Sequence, residues 1–151
     1  MQGVRIVEKN PKPNTPKFSI AFGPILEDIS SFNWIVKWKS FWWLQDTEEE
    51  SERQLNWFFS VAQEGSFYSS NRQIFPDLAQ FVRDDWNGLF GFKVMPPDIQ
   101  RWCSDYWHSK SRINFLESTT DICLLNVDAA FWEGYFRDQK ILTKLTQSLR
   151  N

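Results

Sequence analysis

Residues 122–136 read ICLLNVDAAFWEGYF. Two apolar runs, Ile122–Val127 and Phe131–Phe136, flank Asp128 and Ala129. Aspartate at such a break favours a turn, and β-branched and aromatic residues on both sides favour strands. The pair predicts a β-hairpin, and a hairpin commits the sheet to antiparallel pairing. Directly after it, Asp138 precedes a run in which Ile141, Leu142, Leu145 and Leu149 share one helical face. That spacing predicts a helix laid on the sheet.

Working back from the hairpin, residues 113–116 (INFL) and 89–94 (LFGFKV) are short strand candidates. Between them, Pro97 opens a helix with Asp98 in its first turn and a stripe of Ile99, Trp102, Cys103 and Tyr106. Pro76 opens another, with Phe75, Leu78, Ala79, Val82 and Trp86 as its stripe and Asn87-Gly88 as its stop. A further helix is predicted from Thr47 to Glu64. Thr47 and Glu50 match a capping box, Leu55, Phe58, Phe59 and Ala62 form the apolar face, and Gly65 ends it. Near the N-terminus, Val4–Val7 reads as a strand. Phe18, Ile20 and Phe22 alternate with Ser19 and Ala21 in a second strand pattern. Three prolines make Asn10–Pro16 an extended connection.

The stretch Phe32–Leu44 carries two periods. Phe32, Trp34, Val36, Trp38, Trp42 and Leu44 fall on even positions, while Asn33, Lys37 and Lys39 fall on odd ones. Trp34, Ile35, Trp38, Phe41 and Trp42 also fit helical spacing. Aromatic and β-branched residues weight the choice towards one or two strands. With 151 residues, one domain spanning 1–151 is expected. Its class is α+β: a single domain with a mainly antiparallel sheet packed with about four helices.

The chain holds 14 Phe, 9 Trp and 3 Tyr. Each buried ring removes about 150–250 Å² from water, so a large core needs few residues. The net charge is -2, which gives no long-range pull towards nucleic acid or an anionic membrane. The opening MQGVRIVEKN has no signal-peptide core, and no run of 18 apolar residues spans a membrane, so a cytoplasmic setting is expected.

Motifs for chemistry are sparse. His108 stands alone, with Asp105 three residues earlier as a possible orienting partner; packing near a helix end explains it as well. Cys103 and Cys123 fall on apolar faces, where thiols are buried and inert, and two Cys with one His fall short of a zinc site. Asp84-Asp85 diverge on a helix, and Glu133 has no second carboxylate fixed by pattern. No phosphate-binding glycine loop is present. The expectation is therefore a chain without metal or cofactor that acts by binding.

Two features point to a binding surface. If 32–44 is a strand, Phe41 and Trp43 fall on the Lys37 and Lys39 side rather than on the core face. Asp46–Glu52 carries more acid than a helix cap uses, through Glu48, Glu49, Glu50 and Glu52. Aromatic anchors within a charged rim suit a protein partner. One form of this reading is an immunity-type antidote that neutralises a basic toxin. The alternative is a carbohydrate-binding or small-molecule domain, or a small hydrolase, with a Trp-lined pocket near Trp43 and Glu133.

Overall fold

Strand-forming runs and helical stripes assemble here into a three-layer arrangement. The structure, a computed structural model, describes residues 1–7, 18–37, 62–63, 66–69, 88–127 and 131–150, with the backbone alone for 18, 19, 37, 62–63 and 66–69. The strands are β1 (Gln2–Val7), β2 (Asn33–Lys37), β3 (Ala62–Gln63), β4 (Ser66–Ser69), β5 (Gly88–Phe92), β6 (Ile122–Val127) and β7 (Phe131–Phe136). They form one sheet in the order β1-β7-β6-β5-β2-β4-β3. Every pairing is antiparallel. The helices are α1 (Phe18–Phe22), α2 (Leu26–Ser30), α3 (Ile99–His108), α4 (Arg112–Thr119) and α5 (Gln139–Ser148), with a 3-10 turn at Gly23–Ile25 joining α1 to α2. The α+β class and the antiparallel sheet agree with the sequence.

The predicted hairpin has the bounds expected, and its register sets Val127 against Phe131 and Ile122 against Phe136. Asp138 caps α5, its carboxylate accepting from the Lys140 N–H at 2.9 Å, and Ile141, Leu142 and Leu145 are buried. Asp98 is the N-cap of α3 rather than a first-turn residue, accepting from the Arg101 N–H at 2.8 Å. Such caps contribute about 1 kcal/mol each.

Both faces of the central strands are covered. Trp34, Val36, Leu89, Ile122, Leu124, Trp132 and Phe136 pack under α1, α2 and α5. Ile35, Phe90, Phe92 and Cys123 pack on the opposite face under α3 and α4, against Trp102, Tyr106 and Leu116. Hence all five residues of β5 are buried. Ile35 is buried too, so the odd-numbered side of β2 is not the wet face that Asn33 and Lys37 suggest. Asp121 ties the strand ends together. Its N–H donates to the Gly91 carbonyl at 2.9 Å, and its carboxylate accepts from the Lys93 N–H at 2.7 Å. Arg137 reaches the same aspartate at 3.5 Å and donates to the Glu117 and Thr120 carbonyls.

Three predicted elements are corrected. Residues 18–22 are helical, not a strand: Ile20 is 67% exposed, while Ala21, Phe22, Ile25 and Ile29 are buried at helical spacing that continues through Gly23-Pro24. Residues 113–116 lie inside α4, because Ser111 caps a helix and its hydroxyl accepts from the Asn114 N–H at 3.3 Å. Ala62 and Gln63, expected at a helix end, pair as β3 with Phe67 and Ser66 of β4, which adds two short strands that alternation did not disclose. The 89–94 strand stops at Phe92, and Val94 is exposed. The predicted helices Thr47–Glu64 up to Val61 and Pro76–Trp86, and the Asn10–Pro16 connection, lie outside the described residues.

Trp34 joins two layers. In the β2–β5 register it sits opposite Gly91, where an added Cβ would lie 3.0 Å from its ring. Its indole N–H donates to the Ile29 carbonyl at 3.1 Å, at the end of α2. Gly91→Val should therefore lower stability by about 1–3 kcal/mol through overpacking. Urea unfolding checks this: the midpoint should fall with the slope unchanged.

Candidate functional site

The residues with chemical potential separate into four places. Of the surface predicted from sequence, Phe41, Trp43, Lys39, Glu48, Glu49, Glu50 and Glu52 lie outside the described residues. Lys37 ends β2, its backbone opposite Ser66 and Gly88.

Glu133 faces the α3–α4 side of the sheet at the β1–β7 edge, next to buried Trp132 on the other face. Its carboxylate accepts from Arg5 at 2.6 and 3.2 Å and from the Tyr135 hydroxyl at 3.0 Å. Arg5 also lies over the Phe131 ring at 4.3 Å. Burial raises the Tyr135 hydroxyl above its usual range, helped by the hydrogen bond to Glu133 and that group's charge. A carboxylate so engaged fastens the edge strand to its neighbour.

Cys123 is buried in β6, and burial, with the Glu133 charge behind it, pushes its thiol far up. Cys103 is half-buried on α3, and neither cysteine is in a disulfide. At the end of α3, the His108 Nδ1 donates to the Ser104 carbonyl at 2.7 Å. Asp105 does not orient this ring: it faces Arg101, one helical turn earlier, at 3.8 Å. Among the described residues, no three His, Cys, Asp or Glu gather closely enough to hold a metal ion. No described helix is long and apolar enough to cross a membrane.

A cleft of about 570 Å³ opens between α2, the end of β5 and the start of α5. Glu27, Asp28 and Asp138 line it together with Lys93, Lys140 and Lys144. The charges balance, Lys144 closes on Asp28 at 2.7 Å, and the Asp138 carboxylate is occupied by its cap. The cleft presents no single chemistry to a ligand.

The fourth place is the tip of the α3–α4 hairpin, which sequence reasoning passed over. Beneath it, Trp102 stacks on Tyr106 with ring centroids 5.9 Å apart, and both touch Phe90 and Phe115. Above it, Trp107 is 47% exposed and Ile113 is 74% exposed. The Arg112 guanidinium sits over the Trp107 ring at 5.1 Å and the Tyr106 ring at 5.5 Å. The loop is held from within, since the Ser109 hydroxyl donates to the Tyr106 carbonyl at 3.0 Å and Ser111 caps α4. The signal in the sequence was Trp107 itself, one position off the buried stripe that ends at Tyr106.

No family model, curated protein or solved structure matches the chain. The functional reading rests on its own residues.

Two measurements probe this layer. Cys123 should resist iodoacetamide in the native state at mildly alkaline pH and react once denaturant is added, because the thiolate is the nucleophile; peptide mass spectrometry distinguishes it from Cys103. Among the described residues the buried Trp102 indole N–H has no hydrogen-bond acceptor. Trp102→Phe removes that donor and should change stability by no more than about 1 kcal/mol, whereas Trp102→Ala should cost about 3–5 kcal/mol in calorimetry or urea unfolding.

Proposed function

We propose that this chain is a non-enzymatic binding protein acting through a protein–protein interface, and that the tip of the α3–α4 hairpin is its docking face. The observation that carries this reading is an exposed Trp107 with Arg112 stacked over its ring, and an exposed Ile113 next to that arginine in the chain. Tryptophan and arginine dominate the energetics of protein interfaces, because each offers a large contact area together with a directional polar group. The patch rests on buried Trp102, Tyr106 and Leu116, so little ordering entropy is lost when a partner arrives.

The narrower reading, an immunity-type inhibitor that grips a basic toxin through Glu48, Glu49, Glu50 and Glu52, rests on the acid-rich sequence alone. The alternative of a Trp-lined pocket with Glu133 as its acid is less favoured, since Arg5 and Tyr135 already take up that carboxylate.

A paired Trp107→Ala and Ile113→Ser variant tests the interface. Both side chains are largely outside the core, so stability should fall by no more than about 1 kcal/mol. Quantitative affinity capture from native lysate should lose specific partners in the variant relative to the parent. An identical captured set from both proteins would rule out this face.

A further inference from the structure

We infer that the hairpin tip receives an acidic segment of a protein partner, one that sets a carboxylate beside an apolar side chain. This rests on the docking face proposed above and specifies the chemistry of what docks there.

The charges at the tip are one-sided. From Trp107 to Asn114 the chain reads WHSKSRIN, with Lys110 and Arg112 and no acid. Both cations are exposed. Among the described residues neither has a carboxylate within ion-pair distance. The acids nearest in sequence are engaged elsewhere, Asp105 with Arg101 at 3.8 Å and Glu117 with the Met1 amine at 2.9 Å. Elsewhere on the described surface every arginine up to Arg137 has an acidic partner, Arg5, Arg101 and Arg137, as does Lys144, while Lys93, Lys140 and Arg150 have none among the described residues. At this tip the acid is missing while the arginine is held in place.

The way Arg112 is held defines the ligand. Its guanidinium rests over two aromatic rings, which orients the group without consuming its N–H donors. A planar fork so placed matches a carboxylate, which accepts two parallel hydrogen bonds from it. Trp107 offers apolar surface beneath this fork, and Ile113, next to Arg112 in the chain, is 74% exposed, so a hydrophobic side chain on the same segment adds contact. Nucleic acid fits less well. Only two cations are present, the chain carries a net charge of -2, and backbone binding needs many neutralised phosphates. An exposed isoleucine also gives no platform for base stacking.

Two experiments separate this inference from the reading beneath it. In the first, the intact protein labelled with ¹⁵N is titrated with three synthetic probes. One peptide carries Asp and Glu interspersed with Leu, a second carries Lys in place of the acids, and the third probe is an oligouridine. The acidic peptide should shift the Trp107 indole signal, assigned by its loss in Trp107→Phe. Arg112→Gln should weaken that binding about tenfold, the Lys110→Glu and Arg112→Glu pair should abolish it, and added salt should weaken it. An equal response to the basic peptide or to oligouridine would overturn the inference. So would no response to the acidic peptide up to about 1 mM. In the second, a photo-cross-linking amino acid replaces Ile113 in native lysate. Cross-links that disappear with Trp107→Ala but survive the charge reversal would leave the docking face standing and remove the acidic partner. A lack of any cross-link would remove both.

Discussion

The contact between Trp34 and Gly91 sets the geometry on which the other layers depend. The indole occupies the space a side chain would take on the neighbouring strand, and its N–H reaches the carbonyl that ends α2. One residue thereby fills the space above Gly91 and fixes the seat of the helical segment over β2 and β5. Because that face is filled, the opposite face of the same strands must be covered by other means. Ile35, Phe90 and Phe92 point that way and would otherwise meet water. Covering three such side chains keeps about 5–8 kcal/mol of transfer free energy, an upper figure for a real unfolded chain.

The α3–α4 hairpin supplies that cover, and its packing makes the tip a rigid surface. Trp102 and Tyr106 enter the core from α3, and Leu116 enters from α4. Trp107 follows Tyr106 directly and so lies about 100° further round the helix, off the stripe that Trp102 and Tyr106 bury. The exposed tryptophan is thus a consequence of phase, and Arg112 at the start of α4 closes over it. The interface proposed here uses a ring that the core could not accommodate.

Much of the sheet was legible from residue pattern. The β6–β7 hairpin, the start of α5 after Asp138, and the stripes of α3 and α5 appear where local signals place them, while α3 starts two residues later than Pro97 suggested, with Asp98 as its cap. The errors share a cause. Phe18–Phe22 and Ile113–Leu116 are short enough for alternation and helical spacing to coincide, and a few residues cannot separate the two periods. The decision came from neighbours: continuation through Pro24 to Ile29 in the first case, the Ser111 cap in the second. Ala62–Gln63 went the other way, since a strand of two residues exists only through its partner β4. The candidate site was harder to read. Trp107, Lys110 and Arg112 are ordinary residues in sequence, and only their convergence makes a surface.

What the amino-acid sequence determined by itself is the α+β class, the antiparallel hairpin and an interior rich in rings, because propensity, caps and periodicity act over a few neighbouring residues. Tertiary structure alone decided that the central strands are buried on both faces, that Glu133 is held by Arg5 and Tyr135, and that an arginine with no acid among the described residues stacks over an exposed tryptophan. Those outcomes depend on which distant segments meet, and burial and charge pairing are properties of the meeting rather than of either segment.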